Sequence, residues 1–115
     1  MSELYPDPCP DKTRADLEWP RVLDALAARC AFALGREAAR SLPFARSRDE
    51  VVALLAEAKE ATDLFYAGEP IPLGEVPDVR EALARLRVGG VLGGPELRDV
   101  GRMLLAARSL RRFLT

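Results

Sequence analysis

The sequence predicts an all-α protein of about five helices, and three observations carry that prediction. Apolar residues recur at helical spacing from Asp16 onward, and no segment alternates apolar and polar residues as a half-buried strand does. Helix start and stop signals punctuate the same stretch: Pro20, Ser47 with Glu50, Gly68 and Pro95. The size suits one small domain, with 115 residues, 49% of them hydrophobic and 30% charged.

Residues 1–16 contain Pro6, Pro8 and Pro10 and no periodic apolar pattern, so they read as a flexible arm. The first helix is expected near Trp19–Pro20, because the N–H that Pro20 lacks would find no partner in a first turn anyway. Val22, Leu23, Leu26, Ala27 and Cys30 form its stripe. A short second helix runs from Leu34 to Ser41, with Leu34, Ala38 and Leu42 on one side and Pro43 as its stop. The third has the clearest start. Ser47 and Glu50 form an S-x-x-E capping box directly before an apolar run. Val51, Leu55, Ala58, Thr62 and Phe65 follow at helical spacing, flanked by Leu54 and Tyr66, and Gly68 closes the helix as a left-handed cap. EPIPLGEVP (69–77) is a loop, since three prolines and a glycine cannot sustain regular structure. A fourth helix is expected from Pro77 or Asp78 to Arg87, with Val79, Leu83 and Leu86 inward. After GGVLGGP (89–95), Pro95 opens a fifth that reaches the last residues.

On a wheel of about 100° per residue, Val100, Met103, Leu104, Ala107, Leu110 and Leu114 share one face of the last helix. Arg98, Arg102, Arg108 and Arg112 gather opposite them, with Leu105 in their midst, and Phe113 falls outside the apolar stripe. Leu105 and Phe113 are therefore candidate interdomain or self-association contacts. The four arginines are candidate contacts to a nucleic-acid backbone, spread over about 20 Å at 1.5 Å per residue. A helix that reaches Thr115 with no stop residue also suggests a piece of a longer chain.

Net charge is −1, but it is unevenly spread. Residues 1–79 carry 9 basic and 15 acidic side chains, a net of −6, and residues 80–115 carry 8 and 3, a net of +5. With no histidine, the chain lacks the commonest metal ligand and the usual general base near neutral pH. The carboxylates Asp49, Glu50, Glu57, Glu60 and Asp63 sit along one helix as a solvated face, not as an acid–base pair in a cleft. Cys9 and Cys30 make neither a disulfide framework nor a metal set and read as free thiols in a reducing compartment. The pairs Gly89-Gly90 and Gly93-Gly94 lack the Lys-Ser or Lys-Thr of a phosphate loop and read as helix caps. Trp19, Phe32, Phe44, Phe65, Tyr66 and Phe113 read as core and staple residues, not as a base-stacking platform. No apolar run approaches the roughly 18 residues of a membrane span. No catalytic, metal or cofactor-binding residue is expected, and a cytoplasmic location is.

The order of features resembles the opening of the MutS-II subfamily, bacterial MutS paralogues that suppress recombination. Leu17-Glu18-Trp19 matches the family's leading Leu-Glu-aromatic, and Ala33-Leu34-Gly35-Arg36-Glu37-Ala38 its LGRE motif. Gly68, Pro72, Leu73 and Gly74 match a G-x-x-P-LG segment; DVREALARLRVGGVL (78–92) and the pattern from Glu96 to Leu114 follow in register. The match covers about 17–114 and leaves the arm outside it.

The resemblance implies that residues 17–115 are the helical N-terminal part of a MutS-like core domain, truncated at its C-terminus. Full-length members carry lever helices, a dimeric ATPase domain that takes ATP and Mg, and usually a C-terminal small MutS-related nuclease domain. They bind branched or recombination-intermediate DNA, limit recombination and are tied to splitting collided ribosomes. None of the family's catalytic residues maps onto a position here. The expectation is a non-catalytic coupling module, its partners the remainder of its own chain, a second copy in the full-length homodimer and, through the whole protein, DNA and the ribosome. The alternative is a stand-alone helical domain that binds protein or a phosphate backbone.

Overall fold

The computed structural model describes residues 7–115, and every regular element among them is helical. The elements are α1 (Asp11–Asp16), α2 (Trp19–Ala27), α3 (Ala33–Arg40), α4 (Arg48–Tyr66), α5 (Arg80–Arg87) and α6 (Gly94–Leu114). The all-α expectation holds, with one helix more than expected.

That extra helix corrects the reading of residues 1–16 as an arm. Residues 1–6 lie outside the described residues, but Asp11–Asp16 is helical and Cys9 is buried. Local polar contacts do what apolar periodicity does not. Asp7 accepts from the Cys9 backbone N–H at 3.1 Å and pairs with Arg14 at 3.4 Å, and Lys12 pairs with Asp16 one turn on at 3.2 Å. Glu18 separates α1 from α2 in the left-handed region, at φ 50°. Pro20 sits in the first turn of α2, as expected.

The densest packing lies between α2 and α3, around Leu23, Ala27 and Ala39. Trp19 stacks on Phe44 at 4.9 Å, and Arg40 reaches Asp24 at 3.1 Å across the pair. At the start of α4, Ser47 Oγ accepts from the Glu50 N–H at 3.2 Å. The Glu50 carboxylate reaches back to the Arg46 N–H at 2.7 Å, one residue earlier than the usual box. Gly68 (φ 79°) ends α4: its N–H donates to the Phe65 carbonyl at 3.2 Å and that of Glu69 to Leu64 at 2.9 Å, the paired bonds of a Schellman motif.

Helix α5 starts at Arg80, later than expected, because Asp78 accepts from the Arg80 N–H at 3.1 Å and holds the chain in a turn. Its inward residues are Val79 and Ala82; Leu83 and Leu86, expected inside, are exposed. A second Schellman motif closes it, with Gly89 (φ 83°) donating to Leu86 at 3.1 Å and Gly90 to Arg85 at 2.8 Å. Glu96 then holds the start of α6, accepting from the Gly93 N–H at 2.9 Å and pairing with Arg85 of α5.

The whole is open. Its radius of gyration is 18.3 Å, against about 13 Å for a compact chain of this size. Its accessible surface is 9356 Å², where a compact monomer of this mass exposes about 6,200 Å². Helix α4 explains much of the excess, since none of its 19 residues is buried.

Candidate docking faces

Two helices carry surface that the rest of the chain leaves uncovered. On α4, Val51, Leu54, Leu55 and Phe65 are all exposed, and Phe65 and Tyr66 form an edge-to-face pair at 5.7 Å at its far end. These two aromatics were expected in the core. They lie instead on a helix that projects away from it, 67% and 82% exposed. Trp19, Phe32, Phe44 and Phe113 are half-buried.

Helix α6 has its stripe split in two. Met103, Ala106, Ala107 and Leu110 face the body, where Phe32, Pro72, Leu73 and Val76 meet them around a cavity of about 170 Å³, and Phe113 is half-buried. Leu97, Leu104 and Leu114 face solvent, Leu104 at 59% exposure. The expected stripe was thus correct in residue type but rotated toward Phe113. The loop residues Pro72, Leu73 and Val76 lie against Met103, Ala106, Ala107 and Leu110, and the wheel alone has no knowledge of that loop. Of the two candidate contact residues, only Leu105 stands fully out, at 63% exposure.

The arginine row divides for the same reason. Arg102 lies closest to the covered side; it pairs with Glu75 of the loop at 3.1 Å and with Asp99 at 3.6 Å. Arg98, Arg108 and Arg112 are exposed and make no ion pair among the described residues. The free rail therefore has three members of the four expected.

A polar knot that the sequence does not announce ties the two halves together. Arg80 of α5 forks onto Glu37 of α3, Nη1 to Oε2 at 2.8 Å and Nη2 to Oε1 at 2.7 Å, and also reaches Asp78 at 2.7 Å. Hydrogen bonding to Arg80 pulls the Asp78 carboxyl down to about 2 and lowers that of Glu37, and both carboxylates push the Arg80 guanidinium further toward its charged form. All three are exposed, and the fork joins α3 to the start of α5. The described surface also has open clefts, among them one of about 610 Å³ floored by Trp19 and Phe44 with Arg14 5.5 Å from the Phe44 ring, and one of about 290 Å³ beside Arg36 and Arg102. Among the described residues no group of three or more Cys, Asp or Glu is placed to hold a metal ion, both cysteines are free, and no helix is long and apolar enough to cross a membrane.

Comparison with known proteins places these elements. The chain is 41% identical over 107 residues to Endonuclease MutS2 of Anaeromyxobacter sp. (strain Fw109-5), covering 90% of this chain. It is 39% identical over 104 residues to Endonuclease MutS2 of Symbiobacterium thermophilum, again over 90% of the chain. This chain is MutS2-related. It spans 13% of the length of each of these relatives, so the name endonuclease describes proteins far larger than the segment they share with it. No family model and no solved structure matches the chain.

Proposed function

We propose that this chain is a non-catalytic docking and coupling module of a MutS2-type protein, an ATPase that handles branched DNA and stalled ribosomes through domains outside these 115 residues. The observation that carries the reading is the surplus surface. The chain exposes 9356 Å² where a compact monomer of its mass shows about 6,200 Å². A standard interface takes about 800 Å² per partner, so the surplus suffices for more than one neighbour. Much of it is apolar and continuous in helical register, which is what a buried helix carries before its neighbours are in place.

In this reading the rest of a MutS2 chain covers the outer side of the α2–α3 pair, where Leu17, Val22 and Leu42 are exposed, together with Leu105. The Glu37–Arg80–Asp78 knot and the Arg102–Glu75 pair keep α3, the loop and α6 at fixed angles. A displacement of α6 by neighbouring domains is then passed to α2–α3 as a rigid movement. The test is complementation in trans. The Anaeromyxobacter MutS2 protein is prepared without the segment that this chain matches, and residues 1–115 are added back. Co-elution and recovery of its ATP turnover support the proposal; no binding at about 100 µM contradicts it.

A second reading rests on Arg98, Arg108 and Arg112, which are exposed and without carboxylate partners among the described residues. They can lie against successive phosphates of a nucleic acid and add a contact blind to base sequence. The readout is the salt dependence of binding to a DNA duplex.

A further inference from the structure

Residues 7–17 join the rest of the chain through a single residue in a strained backbone conformation. Glu18 sits at φ 50° and ψ 38°, in the left-handed region that a residue with a Cβ rarely adopts. It is the one non-glycine residue with positive φ among the described residues. The backbone hydrogen bonds respect that joint. On one side the N–H groups of Leu17 and Glu18 donate to the Thr13 and Ala15 carbonyls at 3.0 Å, which closes α1. On the other, the N–H groups of Arg21 and Val22 donate to the Glu18 carbonyl at 2.9 and 3.3 Å, which opens α2. Pro20 has no N–H to satisfy in that first turn. Among the described residues no backbone hydrogen bond or ion pair runs from residues 7–17 to residues 19–115. The joint can turn without breaking either helix.

Little holds the segment down. None of the six residues of α1 is buried. The anchors are Cys9, which is 4% exposed, and Arg14, whose guanidinium carbon lies 5.5 Å from the centre of the Phe44 ring. Asp7 and Asp11 pair with Arg14 at 3.4 and 3.7 Å from within the same segment, so those pairs travel with it. Arg14 also forms one wall of the cleft of about 610 Å³. Trp19, Leu23, Leu42 and Phe44 line that cleft from the side of the body, with Trp19 stacked on Phe44 at 4.9 Å. Lifting the segment removes the Arg14 wall and bares Phe44.

We infer that residues 7–17 are a strap, hinged at Glu18, that opens as a unit while α2–α6 stay folded and so uncovers the Trp19–Phe44 cleft. Strain at the hinge opposes closure; one small buried side chain and one cation–π contact favour it. Such a balance puts the open form within reach of a local opening, well below the cost of unfolding the chain. The docking proposal stands or falls without the strap.

The experiment reads the Cys9 thiol, which the closed strap covers. Cys30→Ser leaves Cys9 as the one thiol of the chain. Alkylation by excess iodoacetamide is followed by mass spectrometry between 0 and about 1.5 M urea, with the fully unfolded chain as the reference rate. The expected rate is at least about tenfold below that reference. Its urea dependence should be less than about half that of global unfolding, because a local opening exposes less surface. Arg14→Ala, which removes the contact on Phe44, should speed labelling about threefold. Glu18→Gly, which relaxes the hinge in the closed form, should slow it about threefold. Labelling at the unfolded rate overturns the proposal, since the strap is then not closed. Labelling with the full urea dependence of global unfolding also overturns it, since the segment then belongs to the cooperative core. So does a Glu18→Gly variant that labels as fast as the parent or faster.

Discussion

One type of substitution, glycine to alanine, should change the stability of this chain in opposite directions at two nearby positions, one in the turn that closes α5 and one inside α6. At Gly90 an added Cβ would lie 2.8 Å from the Arg85 carbonyl oxygen and 3.3 Å from its Cβ. That oxygen accepts the Gly90 N–H at 2.8 Å, so the chain cannot back away without giving up the bond that closes the Schellman motif. Overpacking against fixed backbone costs about 1–3 kcal/mol, and Gly90→Ala should lose that much. At Gly101, inside α6, an added Cβ meets nothing within 4 Å. There alanine gains about 1 kcal/mol, from helix propensity and a less flexible unfolded chain. For a domain of this size, 1 kcal/mol moves Tm by roughly 4–8 °C. The assay is thermal unfolding followed at 222 nm, or urea unfolding with a common slope. Gly90→Ala should melt several degrees below the parent and Gly101→Ala several degrees above it. Equal shifts of the two variants, or a silent Gly90→Ala, would refute the placement of the α5 cap.

Further expectations follow from the same contacts. The Asp78 and Glu37 carboxyls lie below their ordinary values in the folded chain, so their contribution is fully present above about pH 4–5 and fades as pH falls toward 2. Arg80→Gln should flatten that acid limb, measured as the urea midpoint between pH 5 and pH 2. Ser47→Ala removes the cap of α4 and should cost about 1 kcal/mol of helix stability, with the loss of amide protection confined to its first turn. Arg98→Glu with Arg108→Glu should lower the salt slope of duplex binding by about one to two units, at about 0.9 per phosphate, whereas Arg102→Glu, already paired with Glu75 in the parent, should change affinity mainly by loosening the loop. An unchanged slope in the first pair removes the phosphate contact from the account.

The fold was largely legible in the sequence because its signals are local. Pro20, the Ser47–Glu50 box, Gly68, Gly89 and Pro95 act within one or two turns, and each lies where its helix starts or ends. Helix α1 was not legible, since its contacts are the local pairs Asp7–Arg14 and Lys12–Asp16 and it carries no apolar stripe. The start of α5 was misplaced for a similar reason: Asp78 turns its carboxylate onto the next backbone N–H but one and delays the first helical turn. The candidate faces were half legible. A wheel reports which residues share a face, but which half of a broad stripe is covered depends on the distant loop 69–77, so Met103, Ala106 and Leu110 are covered, Arg102 is tied to Glu75, and Leu104 and Leu114 stay out. The knot of Glu37 with Arg80 bridges residues 43 positions apart and leaves no periodic trace.

The central claim is that a MutS2-type protein completes this open helical module. Amide hydrogen exchange tests it most directly, read on α2, α3 and α4 in residues 1–115 alone and then with the Anaeromyxobacter MutS2 protein that lacks the matching segment. The account predicts that amides on the exposed sides of α2 and α3 slow by tenfold or more on addition, equivalent to about 1.4 kcal/mol of added protection. Exchange rates that stay the same at saturating concentrations of the partner would contradict it.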